Sequence, residues 1–334
     1  MAEYPAAVAT PTDSLERLGE ALALPASVPK KRMLVIVNPY ATTVSDRLKN
    51  LVVYALRGRY EVDAIDTQQR NHATELAREA ALEGYDVVVA FGGDGTINEA
   101  ANGLAGASVP LTCLPGGATN VLCRMLGIPI DVVDATEHIL RIADDWRPRR
   151  IALPRVNERY FTFAAGMGLD ASVVERVDSR PRLKARLGEW FFTWAAVSTF
   201  MRRYLVNPPR LVADVAGREL RGVTVVVQNG DPYTFFNRRP VRLAEGGVLE
   251  EPTVSGVVLR RAHPVDMPTV IWRALARRAR MVRHRQVDHF EHVPELVVRS
   301  EDGRPVPLQV DGDHIGEVTE ARFDVLAGGL TVVS

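Results

Sequence analysis

AFGGDGTINEA (residues 90–100) sets the end of an apolar run against three glycines and one carboxylate. DVVVAF (86–91) reads as a buried strand that stops at Gly92-Gly93-Asp94-Gly95-Thr96, and a helix-like run follows. A strand that ends in a glycine-rich turn and opens a helix suits phosphate. Glycine takes positive φ and lets a ligand approach closely. The N–H groups of the turn and of the helix start attract an anion. The order is not the GxxxxGK[ST] of a Walker A loop, and GxGxxG with a distal acid fits poorly. The stretch lacks a lysine, so a metal is expected to neutralise the phosphates. Asp94 is the carboxylate placed to face it, because Mg²⁺ takes few carboxylates beside phosphate oxygens.

Outward from this stretch, apolar strands alternate with helices. MLVIV (33–37), YEVDAID (60–66) and LTCLP (111–115) are expected strands. SDRLKNLVVYAL (45–56), HATELAREAALEG (72–84), TINEAANGL (96–104), NVLCRMLG (120–127) and VDATEHILRIADD (133–145) are expected helices. This alternation predicts a parallel sheet covered on both faces. LTCLPGGATN (111–120) repeats the device of a strand, two glycines (Gly116, Gly117) and a polar pair (Thr119, Asn120) opening a helix. Asn38-Pro39 follows the first strand and Asp66-Thr67 ends the second. Four such junctions at one end of a parallel sheet point to an ATP-type ligand.

Past Arg150 the rhythm becomes short, β-rich segments separated by turn residues, which predicts an antiparallel sandwich or barrel. Two helical inserts are expected in it, at about 182–205 and 265–283. The expected organisation is an N-terminal extension (1–30, with one short helix at 14–24), a nucleotide-binding α/β domain (31–150) and a β-rich lipid-substrate domain (151–334). Lys+Arg and Asp+Glu both number 41, so net charge gives no case for nucleic acid. Cys113 and Cys123 form no CxxC and no histidine cluster joins them, so a reducing compartment is expected. The N-terminus lacks a signal-peptide pattern, and WFFTWAAVSTFM (190–201) is too short and polar to span a bilayer. A cytoplasmic protein that touches membranes is the expectation.

VNP (37–39), the Thr67…His72-Ala73 segment, GGDGTINEAANGL (92–104) and LPGGATNVLCRMLGIP (114–129) resemble the catalytic domain of the diacylglycerol kinase family. That family includes bacterial diacylglycerol kinases and eukaryotic sphingosine and ceramide kinases. The resemblance continues through AAGMGLDASVVERV (164–177), VVVQNG (225–230) and LQVDGD (308–313), which is similar to the family's DGE motif. It implies an NAD-kinase-like α/β domain followed by an antiparallel β-sandwich, with ATP and Mg²⁺ as cofactors. It implies that Asn38, Thr67, Gly92, Gly93, Asp94, Gly95, Thr96, Glu99, Gly116, Gly117, Thr119, Asn120 and Asp313 surround the nucleotide. It further implies Asp311 and Asp94 as the catalytic pair: Asp311 the base, Asp313 its orienter or a metal ligand, and Asp94 the holder of Mg²⁺–nucleotide. Glu245 and Glu250 are weaker candidates for a supporting metal site. From spacing alone, VDGD (310–313) reads as an ordinary β-turn. The chain departs from the family pattern at Asp313, where Glu is usual, and in AEGGVLEE (244–251), NGDPYTFFNRRPV (229–241) and Ala118.

RALARRARMVRHR (273–285) carries six arginines and no acid, which suits either a basic helix on anionic lipid or a solvated helix. RLKARLGEWFFTWAAVSTFMRRYL (182–205) suits a buried amphipathic helix or the wall of a lipid channel. His263, His284, His289, His292 and His314 show no metal-ligand spacing. The expected function is an ATP-dependent lipid kinase that converts diacylglycerol to phosphatidic acid. The alternatives are a kinase of the same fold for a sphingoid base, a monoacylglycerol or NAD, or a catalytically weak nucleotide- or lipid-binding regulator. Expected partners are the lipid substrate and, peripherally, an anionic membrane surface at the inner leaflet. Nucleic acid is not expected, and a homodimer is left open.

Overall fold

Strand β1 (Lys31–Val37) is buried from Met33 to Val37, as a strand covered on both faces must be. The computed structural model describes residues 16–19, 30–168, 208–236, 239–276 and 279–334. The expected insert at 182–205, the second half of the 164–177 motif and the N-terminal extension, apart from a helical turn at 16–19, lie outside the described residues. The chain divides into two compact units. The first holds the described residues up to Leu104, with Ser108–Arg149 and Thr331–Ser334. The second holds Ala105–Ala107 and the described residues of Arg150–Leu330.

In the first unit, β1 is followed by α1 (Asp46–Arg57), β2 (Tyr60–Asp66), α2 (His72–Leu82), β3 (Val87–Gly92) and α3 (Asp94–Gly103). Then come β4 (Leu111–Pro115), α4 (Val121–Met125) and α5 (Val132–Arg141). The sheet runs β2-β1-β3-β4, all parallel, with Val37 opposite both Asp66 and Phe91. The helices start where side chains can cap them. Ser45 Oγ accepts from the Leu48 N–H at 3.2 Å, and an Asp131 carboxylate oxygen accepts from Val133 and Asp134. Helix α2 meets α3 at Gly103, where a Cβ would stand 2.4 Å from the Thr74 carbonyl oxygen. The last residues, expected in the β-rich half, belong here instead. Val332 pairs parallel with Leu111, and Val333 donates to the Leu111 carbonyl at 3.0 Å. Val332 and Val333 are buried by covering the open edge of β4, which would otherwise present unpaired backbone groups.

The second unit is an antiparallel sandwich. One sheet orders β14 (Val287–Val293), β13 (Val254–Leu259), β10 (Thr224–Gln228), β7 (Ala164–Gly168), β16 (Val306–Val310) and β17 (Asp313–Val318). The other orders β18 (Glu320–Val332), β15 (Glu295–Ser300), β8 (Leu211–Val215) and β9 (Arg218–Gly222), with β5 (Arg149–Val156) beside β18 and β6 (Arg159–Tyr160) beside β5. A short hairpin pairs β11 (Thr234–Phe236) with β12 (Arg239–Val241). Alternate residues of the two sheets meet in one core: Ala165 and Met167, Val225 and Val227, Leu308 and Val310 on one side, with Leu211 and Ala213, Leu296 and Val298, Ala321 and Phe323 on the other. Each buried valine, leucine, methionine or phenylalanine among them contributes about 1.5–3 kcal/mol by leaving water.

The outer face of β10 and β13 is covered as well. Val226, Val257 and Leu259 pack with Val270 of α6 (Met267–Leu275) and with Met281. Here the expectation of one basic helix over 273–285 fails. Helix α6 stops at Leu275, Ala276 and Arg280 are extended, and Met281–Arg283 form a single 3₁₀ turn. Burial of Met281 turns the chain inward, and Arg273, Arg280 and Arg285 find local partners. Arg273 donates to the Arg280 carbonyl, Arg280 pairs with Glu245 at 3.2 Å, and Arg285 pairs with Asp266 at 2.5 Å.

Candidate active site

The first unit's strand order places β2 and β3 on opposite sides of β1, so the chain reverses direction across the sheet there. Ligands of such sheets bind outside the carboxyl ends of the strands at that point. Four sequence-expected segments converge on it. Asn38, just past β1, donates its backbone N–H to Phe91 O and its side-chain amide to the Thr96 hydroxyl at 3.0 Å. The Gly116 N–H donates to Gly92 O at 2.7 Å. Thr67 is tied to β1 by its N–H to Val37 O at 2.8 Å.

The glycines serve close packing, not positive φ. None of Gly92, Gly93, Gly116 and Gly117 lies in the left-handed region. A Cβ on Gly116 would stand 2.8 Å from Gly92 Cα, and one on Gly117 would stand 2.8 Å from Gly93 Cα. A Cβ on Gly92 would meet Thr96 Oγ1 at 2.5 Å. The two loops therefore lie backbone on backbone, which the absence of a Cβ at Gly116 and Gly117 allows.

Asp94 joins them. It sits in the first turn of α3, half-buried. Its Oδ2 accepts from the Thr119 hydroxyl at 2.6 Å and its Oδ1 from the Val121 N–H at 2.7 Å. Asn120, itself at φ 47°, closes the loop by accepting from the Gly117 N–H and donating to Gly117 O, at 2.9 and 2.8 Å. The start of α4, read from sequence as a second phosphate cradle, is therefore occupied by the Asp94 carboxylate. Helix α3 is different. Its N-cap is Gly93, which has no side chain to cap with, and its helical bonding begins with Ile97 N–H to Gly93 O. The N–H groups ahead of Ile97, on Asp94, Gly95 and Thr96, have no acceptor within the helix and carry its positive dipole end.

Glu99 turns away from this centre. Its Oε2 accepts from the Ala73 N–H at 3.2 Å, and the Thr74 hydroxyl donates to its carbonyl at 2.9 Å. It caps α2, whose own N-cap Asn71 is left-handed and makes no side-chain cap. Lys49, which sequence reasoning passed over, comes from α1 to the end of β2 and pairs with Asp66 at 2.8 Å. That hydrogen bond raises its pKa. Only the helical register of α1 could have pointed to it. Cys123 is buried against Cys113, and that contact together with burial pushes its thiol well up, so it is a packing residue.

Asp311 and Asp313 belong to the second unit. Asp311 (φ 48°) and Gly312 (φ 83°) form the two-residue turn between β16 and β17, with both residues left-handed as a type I′ hairpin demands. The Asp311 side chain is buried and accepts four hydrogen bonds. Thr162 donates its N–H and hydroxyl to Oδ2 at 2.6 and 2.8 Å, and Phe163 and Ala164 donate their N–H groups to Oδ1 at 2.9 and 3.0 Å. A carboxylate offers about four lone-pair sites, and four donors fill them. This is at odds with the expected role of general base, which needs a lone pair aimed at the proton it takes. Asn229, buried in the strand end of VVVQNG, holds the same segment from its other side by donating to Thr162 O at 3.1 Å and Ala152 O at 3.0 Å. Asp313 opens β17, half-buried.

Glu245 pairs with Arg280, and Glu250 is exposed. Among the described residues, no three acidic, histidine or cysteine side chains gather as a metal-binding group. Asp231, not singled out from sequence, lies near Glu245, and burial raises its carboxyl pKa while Arg242, 3.3 Å away, opposes this. A cavity of about 840 Å³ lies at Leu211, Arg218, Leu220 and Arg261, and none of the expected site residues lines it.

The diacylglycerol kinase catalytic domain family matches residues 32–148. A diacylglycerol kinase of Staphylococcus aureus (strain MRSA252) is 32% identical over 314 residues, covering 89% of this chain and 93% of that protein. One of Staphylococcus haemolyticus (strain JCSC1435) is 31% identical over 277 residues, covering 81% and 78%. A crystal structure of a diacylglycerol kinase from Bacillus anthracis str. Sterne superposes with a TM-score of 0.67 at 18% identity, covering 92% of this chain and 98% of that one, a likeness of fold. With the glycine-paired loops and Asp94 in the matched segment, and relatives aligned along nearly the whole length, the chain belongs to the diacylglycerol kinase family, whose members are kinases that use ATP to phosphorylate a lipid alcohol.

Proposed function

We propose that this chain transfers the γ-phosphate of Mg²⁺–ATP to the free hydroxyl of diacylglycerol, giving phosphatidic acid. The relatives' names support the acceptor. The observation that carries the chemistry is Asp94, fixed between two glycine loops by Thr119 and Val121 at the start of α3. Phosphates resting on the first turn of α3 would meet its N–H groups and dipole. The donor set fits a nucleotide-borne Mg²⁺, which needs one or two protein carboxylates. Asp94 would hold it, and Glu245 and Glu250 are not required. The ion's contribution when bound is to neutralise charge on the transferring phosphoryl oxygens.

Phosphoryl transfer through a loose transition state depends mainly on positioning and charge, with little covalent work for the protein. A saturated Asp311 is compatible with this: it fixes the segment 162–164, and Asp94 is the carboxylate that meets the reacting groups. Peripheral contact with an anionic bilayer, from the cytoplasmic side, belongs to the same proposal. Among the described residues no helix is long and apolar enough to cross a membrane.

The test is radiolabelled ATP offered with diacylglycerol, monoacylglycerol, sphingosine, ceramide or NAD, with and without Mg²⁺. Label in phosphatidic acid, dependent on Mg²⁺, is expected. Asp94→Asn should lower turnover by about 10²-fold or more with the fold retained. Label entering a sphingoid base or NAD, or no transfer to any acceptor, would overturn the reading.

A further inference from the structure

Helix α6 is apolar on two adjoining sides, with Thr269 and Arg273 on the third. Met267, Val270 and Ala274 pack on the sheet. Pro268, Ile271, Trp272 and Leu275, at i, i+3, i+4 and i+7, share the other side. Ile271 is 51%, Trp272 62% and Leu275 42% exposed, and Val265, just before the helix, is 72% exposed. The apolar arc is wider than the sheet covers, and apolar surface left over in this way marks a contact with lipid or another partner.

The segment that carries it has charges of one sign. From Met267 to Val287 the sequence holds six arginines and no acid. The neighbouring carboxylates are taken, Asp266 by Arg285 and Gln286, and Glu245 by Arg280. Arg261 and Arg283, exposed on the segments before and after α6, make no ion pair among the described residues.

We infer that the solvent-facing side of α6 inserts into the interface of an anionic bilayer, with Ile271, Trp272 and Leu275 in the acyl boundary and the flanking arginines at the headgroups. Tryptophan suits that depth, since its ring is apolar and its N–H finds polar partners. A second copy of the chain is the poorer occupant, because it would bring two acid-free, arginine-rich segments together. The inference rests on the proposal of a kinase for bilayer lipids, but vesicle binding needs neither ATP nor turnover.

The experiment is flotation of the full chain with phosphatidylcholine vesicles, with and without phosphatidylglycerol. The triple substitution Ile271→Ser, Trp272→Ser, Leu275→Ser should lower partitioning by about tenfold or more. High salt should weaken wild-type binding without abolishing it, because it screens only the arginine attraction. Turnover of a soluble short-chain diacylglycerol should be unchanged by the triple substitution. Bromine-labelled lipid should quench the intrinsic fluorescence of the wild type and quench that of Trp272→Phe less, with binding kept. The inference is overturned if wild-type protein does not float, if the triple variant floats equally well, or if it turns a wild-type dimer into a monomer without lipid. Loss of flotation in the triple variant of a chain that phosphorylates no lipid would sink the proposed function and leave this inference standing.

Discussion

Asp311→Asn separates an anchor from a base. The backbone tolerates it, since Asn-Gly is a favoured pair for a type I′ turn, and residues 311 and 312 already have the required positive φ. Only the carboxylate changes. Whichever oxygen becomes an amide group, two donors then face a donor: Thr162 N–H and hydroxyl, or the N–H groups of Phe163 and Ala164. The amide will point at Thr162, whose hydroxyl can rotate to accept, leaving one buried N–H without a partner at about 1–3 kcal/mol. The two bonds that remain lose the charged acceptor, about 1 kcal/mol each. The sum, about 3–5 kcal/mol, should lower the melting temperature of the β-rich unit by about 6–20 °C, at about 2–4 °C per kcal/mol for this size. Thr162→Val removes one donor and should cost about 1 kcal/mol. Calorimetry and turnover measured on the same preparations decide the matter. A general base predicts a rate loss of about 10²–10⁴-fold with an unchanged transition. That result, with the transition within about 2 °C of wild type, would refute the anchor reasoning and make Asp311 the base.

Gly117→Ala puts a Cβ 2.8 Å from Gly93 Cα, whereas Gly93→Ala meets Gly117 Cα at an ordinary 3.5 Å. The first should therefore lose about 1–3 kcal/mol of stability and also ATP affinity by titration calorimetry, while the second stays within about 1 kcal/mol of wild-type stability. Equal behaviour of the two would contradict loop-on-loop packing. Glu99→Ala should cost about 1 kcal/mol by uncapping α2, with ATP affinity unchanged; a large affinity loss would return Glu99 to the nucleotide site. His284 accepts the Gln286 N–H on Nδ1 and meets the Thr269 hydroxyl with Nε2. Its pKa is lowered by burial first, then by Arg273 and Arg285, with Asp266 opposing. A folded pKa below the unfolded one means that the unfolded chain binds the proton first. Stability is thus fully present above the unfolded value of 6.5 and is lost as pH falls through the lower folded value. Urea midpoints at about pH 7.5 and about pH 5.5 should differ in that direction, and His284→Gln should shrink the difference; an unchanged difference would remove His284 as a cause.

The first unit was legible because its information is local. Strands 60–66 and 111–115 stand where apolar runs placed them, and the helix expected over 45–56 starts at its serine cap. The glycine motif also pointed to the candidate site, since glycines beside a polar helix start leave few other uses for a strand end. What each residue does there was decided by contacts between segments far apart in sequence. Gly116 and Gly117 are glycines because two loops touch, Glu99 caps a helix formed by residues 72–82, and the chain's last four residues return to complete the first sheet. Asp311 shows the limit most plainly. An Asp-Gly turn and a catalytic carboxylate are the same letters, and only folding brings the Thr162, Phe163 and Ala164 donors from about 150 positions away. Helix α6 is the converse case. The composition of 273–285 suggested a basic helical surface, but the helix ends at Leu275, burial of Met281 and the pairing of Arg280 and Arg285 removed those cations from a common face, and the α6 side exposing Ile271, Trp272 and Leu275 is apolar.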